Sequence, residues 1–168
     1  MKRLFLKSTV LLCFVLLGAC KDNSSKTQET PEIHQHTETI VEDTGFSVSI
    51  GSNDQMQFDK NELKVPAGEP VSLTLKHTGK MAKNVMGHNL VILKQGVDFK
   101  DFAEKAALAA DSEYIPSSEK MNIIAHTKVI GGGESDTIEF TIDEPGTYEY
   151  LCTFPGHYAI MRGVIIAE

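Results

Sequence analysis

Short stretches in which apolar and polar residues alternate recur along the chain from residue 46 onward. They occupy residues 46–50, 71–75 and 137–142, and residues 90–93 form a continuous apolar run. Alternation with a period of two predicts half-buried strands, and the continuous run is typical of a strand covered on both faces. Turn-forming segments rich in Gly and Pro separate these stretches, at residues 66–68, 131–133 and 144–146. The pattern predicts an all-β protein built as a β-sandwich.

One segment departs from this pattern. Within residues 98–110, apolar side chains recur at helical spacing, at Phe99, Phe102, Ala103, Ala106 and Ala110. Asp98 can accept hydrogen bonds from the first backbone N–H groups of such a segment, which favours a helix start at this point. We therefore predict one amphipathic helix that packs against the sandwich.

A loop near the carboxyl terminus carries three side chains that bind soft metals. Cys152, His157 and Met161 follow the spacing C-x4-H-x3-M. Structural zinc takes four strong ligands, usually from paired Cys or His motifs, and this loop has no such pair. A thiolate and two imidazoles in one plane, with a weak axial Met, form a blue-copper electron-transfer site. The second imidazole must come from elsewhere in the chain, and His88 is the best candidate.

Each of these residues also has an ordinary structural explanation. A lone Cys is usually a small buried apolar residue, and Met is usually core filler. A single His on an apolar strand is more often a hydrogen-bonded core residue than a ligand. The occurrence of Cys152, His157 and Met161 on one short loop outweighs the first two explanations and favours a metal site.

Four segments closely resemble azurins, a family of bacterial cupredoxins. They are residues 51–58 (GSNDQMQF), 83–89 (KNVMGHN), 124–131 (IAHTKVIG) and 152–157 (CTFPGH), in the order found in that family. The similarity extends from about Phe46 to Glu168. It implies that residues 45–168 form a cupredoxin-like Greek-key β-sandwich of about eight strands with one inserted helix. It also implies one copper ion that cycles between Cu(I) and Cu(II).

The resemblance assigns roles to residues in the matching segments. The implied copper ligands are His88, Cys152, His157, Met161 and, as a weak axial contact, the carbonyl group of Gly87. Asn89 and Phe154 would lie directly beside the ligands, and in azurins the Asn at this position ties the two ligand-bearing segments together. His77 matches a position near the copper that does not bind it. His126 is expected at the surface.

The resemblance further implies an apolar docking surface around the exposed edge of His157. Its expected members, called the docking patch below, are Met56, Met81, Val85, Met86, Pro155, Ala159 and Ile160, with Phe154 beside them. Exposed apolar patches of this kind mark sites of partner association, and Met-rich surfaces adapt to several partners. The alternative is that some of these residues, Met56 and Met86 above all, belong to the core.

The amino-terminal segment predicts export. Residues 1–19 contain Lys2, Arg3 and Lys7 followed by a short apolar run, which is typical of a signal peptide and too short for a membrane-spanning helix. Residues 17–20 (LGAC) resemble the lipobox of bacterial lipoproteins, which implies cleavage before Cys20 and a lipid on its sulfur. The alternative is an ordinary secretory signal with an incidental Cys. Lys rather than Asp follows Cys20, which favours the outer over the inner membrane.

Residues 20–44 predict a flexible tether. They are rich in Glu, Thr, Ser, Gln and Asp, and such a composition cannot bury enough apolar surface to offset the entropy lost on ordering. His34 and His36 lie in this segment as His-Gln-His. They are either ordinary polar tether residues, which we favour, or a weak accessory metal site.

Composition narrows the function classes. The formal net charge of −7 becomes −10 once the three cationic residues of the signal peptide are removed, and a chain this acidic is a poor nucleic-acid binder. We expect a monomeric, membrane-tethered one-electron carrier on the periplasmic side, without an open catalytic position. The resemblance implies redox partners such as c-type cytochromes, reductases or peroxidases. The alternatives are a copper carrier or storage protein, and an interaction module in which the metal only stiffens the fold.

Overall fold

The computed structural model of the protein describes residues 45–168. The predicted signal peptide, Cys20, the tether and its two histidines lie outside the described residues.

Nine strands, two α-helices and two 3-10 helices make up the described chain. The strands are β1 (Phe46–Asn53), β2 (Gln57–Phe58), β3 (Glu62–Val65), β4 (Pro70–His77), β5 (Val91–Leu93), β6 (Ile123–His126), β7 (Ser135–Thr141), β8 (Gly146–Leu151) and β9 (Arg162–Ala167). The helices are α1 (Lys83–Met86), α2 (Phe99–Ala107) and the 3-10 helices Ala110–Ser112 and Ser117–Asn122.

The strands form two sheets, with orders β2-β1-β4-β7 and β3-β9-β8-β5-β6. The pairs β1–β4 and β3–β9 are parallel, and the remaining pairs are antiparallel. The four stretches predicted from alternation or apolar continuity lie in β1, β4, β7 and β5. The predicted all-β sandwich is therefore confirmed, and the two-residue β2 brings the strand count to nine.

The alternation along the strands produces a core between the sheets. Ile50, Leu73 and Leu75 point inward from one sheet, and Ile92 and Ile165 from the other, and all five are fully buried. Burying one such side chain stabilises the fold by roughly 1.5–3 kcal/mol. This packing gives the strand ends a rigid base.

The inserted helix α2 packs on the five-stranded sheet, on the face that points away from the core between the two sheets. Asp98 accepts hydrogen bonds from the backbone N–H groups of Lys100 (2.9 Å) and Asp101 (3.2 Å), as the sequence predicts for its first turn. Phe102, Ala103 and Ala106 are buried against β5 and Leu151. The helix ends at Ala107 instead of extending to residue 110, and Leu108 is exposed. Ala110 continues the helical spacing of apolar residues but is exposed, so it does not extend the helix.

One end of the sandwich gathers the predicted ligands. Strand β8 ends just before Cys152, β9 begins just after Met161, and His88 lies three residues before β5. The ends of three adjacent strands thus present the loop and the separate His to the same place. Among residues 45–168, no helix has the length and apolar character needed to cross a membrane.

Candidate metal centre

The Cys loop, residues 152–161, is closed by its own backbone. The N–H of Cys152 donates to the carbonyl of Met161 (2.9 Å), which continues the β8–β9 pairing by one step. The N–H of Met161 donates to the carbonyl of His157 (2.8 Å), and Gly156 has a φ of +83°, a left-handed conformation that suits Gly. Cys152, His157 and Met161 are all buried.

His88 is fixed by backbone pairing and by its own ring. Its N–H and carbonyl both pair with Ile130, at 3.0 and 2.8 Å. Its Nε2 lies 2.9 Å from the carbonyl oxygen of Asn53, and only a protonated nitrogen can donate to a carbonyl. Nδ1 therefore carries the lone pair and lies near Cys152 and His157.

Three donor atoms converge in a buried triangle. Nδ1 of His88 lies 3.2 Å from Nδ1 of His157, and Sγ of Cys152 lies 3.9 Å from the first nitrogen and 3.7 Å from the second. The circle through the three atoms has a radius of about 2.1 Å, close to ordinary metal–nitrogen and metal–sulfur bond lengths. One ion in this plane would therefore contact all three atoms without moving them. The residues present fit copper in a trigonal arrangement.

Burial prepares these groups for a cation. Burial lowers the pKa of His88 to about 4 and also lowers the pKa of His157, so both rings are neutral near pH 7. Burial raises the pKa of the Cys152 thiol to about 12, although backbone N–H groups of Asn89 and Phe154 oppose the rise. A metal must therefore displace the thiol proton when it binds.

A buried side-chain pair joins the two ligand-bearing segments. Oδ1 of Asn89 accepts from the N–H of Thr153 (2.8 Å), and Nδ2 of Asn89 donates to Oγ1 of Thr153 (2.7 Å). The residue after His88 is thereby tied to the residue after Cys152. Sequence reasoning named Asn89 but missed Thr153, although it stands next to the Cys in the CTFPGH segment.

Gly87 stands where no larger residue fits. A Cβ at this position would come closer than 3.0 Å to the backbone of Lys83 and to the side chains of Val129 and Phe154. Gly87 is buried and directly precedes His88. The absence of a side chain lets α1 and Phe154 close over this part of the site.

The remaining histidines differ in environment. His77 is buried, its Nδ1 accepts from the N–H of Gly79 (3.0 Å), and its Nε2 donates to the carbonyl of Met86 (2.9 Å). Its ring lies 4.5 Å from that of His88 without contributing a donor atom to the triangle. His126 is exposed. Sequence reasoning missed Asn53, since its role falls to a backbone carbonyl that no side-chain pattern could reveal.

Most of the residues predicted for the docking patch are exposed. Val85 is 55% exposed, Ile160 57% and Met81 38%, and Pro155 and Ala159 are also exposed. Met56, Met86 and Phe154 are half-buried. His157 itself is only 3% exposed.

Comparison with known proteins places the chain in a family. A family model described as copper binding proteins, plastocyanin/azurin family, matches residues 44–168. The chain belongs to this copper-binding family. Its curated relatives include Azurin-1 of Alcaligenes xylosoxydans xylosoxydans, 45% identical over 123 residues that cover 71% of this chain and 95% of the relative. Azurin of Bordetella pertussis is 42% identical over 125 residues, which cover 71% of this chain and 81% of the relative.

Solved structures support the same family membership. Auracyanin from Roseiflexus castenholzii is 38% identical with a TM-score of 0.66, and the match covers 74% of this chain and 98% of that protein. An azurin from Methylomonas sp. strain J is 33% identical with a TM-score of 0.65, and the match covers 73% of this chain and 98% of that protein. The predicted azurin resemblance, the cupredoxin-like sandwich and copper as the cofactor are confirmed.

Proposed function

We propose that this family member is a one-electron carrier with a type 1 (blue) copper site. Cys152, His88 and His157 would hold the ion as its strong donors, and Met161 and the carbonyl of Gly87 would be weak ligands. The observation that carries this proposal is the buried triangle of two imidazole nitrogens and one thiol sulfur. Bound copper supplies the Cu(I)/Cu(II) couple.

The protein's contribution is a site that resists rearrangement. Strand ends, the His88–Ile130 pairing and the Asn89–Thr153 pair fix the donors, so oxidation and reduction cost little reorganisation. The donors are 0–3% exposed, which excludes bulk water from the site. Without an open position for a substrate, an enzymatic function is disfavoured.

A copper carrier or store is the second candidate. Such proteins exchange metal through accessible coordination, whereas these donors are buried and tied to three strand ends. The burial favours electron transfer over metal delivery. The His-Gln-His sequence in the tether is the feature that supports copper handling.

The experiment that tests the function combines a spectrum with a rate. The Cu(II) protein should be intensely blue, and NMR line broadening in mixed Cu(I) and Cu(II) samples should show rapid electron self-exchange. A blue protein whose self-exchange is slow and whose copper passes readily to a chelator would instead be a carrier or store. A colourless Cu(II) protein would contradict the site.

We place partner docking on the docking patch. Five of its seven members are exposed, and apolar surface is desolvated at low cost on association. By the resemblance to azurins, they would surround the edge of His157. Redox proteins such as c-type cytochromes, reductases or peroxidases are the proposed partners, and the carrier itself is proposed to be monomeric.

Replacement of the axial Met is expected to change the potential more than the binding. In Met161→Gln and Met161→Leu, copper should stay bound to the three strong donors, because an axial thioether contributes little to the hold on the ion. The reduction potential should shift, because the axial ligand tunes the balance between Cu(I) and Cu(II). Protein-film voltammetry measures the shift, and metal analysis serves as the control. Complete loss of copper from Met161→Leu would make Met161 a principal ligand and contradict the assignment.

We further propose that the carrier is a lipoprotein on the periplasmic side of a bacterial membrane, with the outer membrane favoured. Residues 1–19 are the signal peptide, Cys20 carries the lipid, and residues 20–44 are the tether. About 24 flexible residues have an r.m.s. reach on the order of 25–30 Å, which lets a small domain approach partners above the membrane.

The lipid anchor has a direct test. Metabolic labelling with palmitate should mark the full-length protein, and Cys20→Ala should abolish the label because the acylated sulfur is gone. Cys13→Ala, which changes a Cys inside the signal peptide, is the matched control and should keep the label. Labelling that persists in Cys20→Ala would exclude the anchor.

A further inference from the structure

We propose that Glu113 and Tyr114, called the corner below, position His157 and the segment that carries His88. This inference rests on the proposed copper function. The corner lies between the 3-10 helix Ala110–Ser112 and strand β6, outside the four motif segments quoted from the sequence.

The backbone of the corner is unusual. Glu113 has a φ of 53° and Tyr114 a φ of 63°, so two consecutive residues other than Gly adopt the left-handed conformation. Such residues persist only where their surroundings hold them, and they concentrate at functional sites. Hydrogen bonds from the N–H of Glu113 to Ala110 (3.1 Å) and from the N–H of Tyr114 to Ala109 (2.9 Å) hold this conformation.

Tyr114 is connected to His157 by ring contacts with Phe154, which lies between them. The rings of Tyr114 and Phe154 meet edge to face with centroids 5.2 Å apart, and the ring of Phe154 lies 4.8 Å from that of His157. Edge-to-face pairs at this distance are attractive and directional. Phe154 is therefore held between the corner and the imidazole, which limits rotation of the His157 ring.

Glu113 is connected to the segment that carries His88 by an ion pair and hydrogen bonds. Its carboxylate pairs with Lys83 at the start of α1, and this ion pair holds the pKa of Glu113 below its usual range. The same carboxylate accepts from the N–H of Val129 (3.4 Å), next to the residue that pairs with His88. Its carbonyl accepts from Nδ2 of Asn89 (3.5 Å).

These contacts act together. The Lys83–Glu113 pair is nearly half exposed, so its own contribution to stability is small. The two longer hydrogen bonds are individually weak. Their value lies in joining α1, the Val129 segment and Asn89 to one rigid corner, which also packs on Phe154. Neighbours that orient metal ligands in this way typically change metal affinity by about 10–100-fold when removed.

The test compares three tyrosine variants. Tyr114→Leu removes the ring contact, and Tyr114→Phe keeps it. Tyr148→Leu is the matched control, because Tyr148 is buried in the main core but lies four residues before Cys152 on β8, roughly 13 Å along the strand. Copper affinity is measured by competition with a Cu(I) chelator, the site by visible and EPR spectra, and the free energy of unfolding by denaturant titration.

We expect Tyr114→Leu to lose about tenfold in copper affinity and to change the Cu(II) spectra, with Tyr114→Phe restoring both. Tyr148→Leu should lower the free energy of unfolding while affinity and spectra stay unchanged. If Tyr114→Leu behaves like Tyr148→Leu, the corner has a structural role only and the inference is overturned.

A second arm uses the metal-free protein and separates this inference from the copper function. NMR should show shifted His157 ring signals in Tyr114→Leu, and a shifted amide signal of Val129 in Glu113→Gln, because it is the Val129 amide that bonds to the Glu113 carboxylate. Asp111→Asn, which removes an exposed charge from the same segment, should leave these signals in place. Unchanged signals in both corner variants would overturn the inference even if the protein is blue. Shifted signals in a protein that is not blue would support the corner while the copper function fails.

Discussion

Cys152→Ser should remove the intense blue colour of the Cu(II) protein completely. The colour of such a site comes from charge transfer between a thiolate sulfur and copper, and a serine hydroxyl cannot form that soft, covalent bond. Sγ of Cys152 is fully buried and lies within 3.9 Å of both imidazole nitrogens. The substitution replaces one donor atom and leaves the positions of the two imidazoles unchanged.

The same substitution should also remove the proton that the Cys152 thiol releases when copper binds. Because burial raises the pKa of the Cys152 thiol to about 12, the thiol is protonated at neutral pH, and copper binding must displace that proton. Visible spectroscopy and a weakly buffered titration with Cu(II) measure the colour and the proton. His126→Ala, which changes an exposed His outside the triangle, is the control and should behave like the wild type. Retention of the blue band in Cys152→Ser would exclude Cys152 as the ligand.

Local sequence patterns are sufficient to predict four of the nine strands in the described residues. The alternation at residues 46–50 and 71–75 reappears in β1 and β4, because a strand with one buried face needs apolar residues at every second position. The start of α2 is equally local, since Asp98 caps the helix from an adjacent position. Its end is not, because helical spacing continues to residue 110 although nothing covers the helix after Ala106.

The metal centre is local only in part. Cys152, His157 and Met161 share one loop, so their spacing already brings them together. His88 stands 64 residues before Cys152, and only the pairing of β5 with β8 brings it to the same end of the sandwich. Spacing along the chain does not connect His88 with the loop, and the resemblance to azurins is what assigned it the role of a ligand.

Other parts of the site cannot be predicted from sequence patterns. The ring of His88 is oriented by the backbone carbonyl of Asn53, and any residue at that position supplies a carbonyl. The corner depends on left-handed φ angles at Glu113 and Tyr114. Sequence patterns do not predict such angles there, because Gly and Asn are the residues that usually adopt them. Such features follow from the packing of distant segments and become visible only in the folded structure.

The docking patch leads to the second large expected effect. Val85, Ile160 and Ala159 of the proposed docking patch are exposed, so a partner that binds this patch must cover apolar surface. In self-exchange the partner is a second copy, and both copies present the same patch. A charge placed there meets an identical charge, and burying like charges together costs several kcal/mol.

Met86→Lys and Ala159→Glu should each slow electron self-exchange by about tenfold or more, since every 1.4 kcal/mol corresponds to a factor of ten. Neither side chain is a proposed ligand, so the visible spectrum should stay as in the wild type. Thr141→Lys and Thr147→Glu place the same charges on exposed positions at the opposite end of the strands and should leave the rate unchanged.

Mixing the two patch variants gives the sharpest test of where the electron leaves. When reduced Met86→Lys meets oxidised Ala159→Glu, opposite charges face each other, and the repulsion that slows each variant alone becomes attraction. The cross-exchange rate, measured by stopped flow and corrected for the difference in potential, should therefore exceed both self-exchange rates. High salt should reduce this advantage, because exposed charges are screened. If both variants exchange as fast as the wild type and mixing changes nothing, the electron leaves through another surface. The apolar residues around His157 would then have no part in docking.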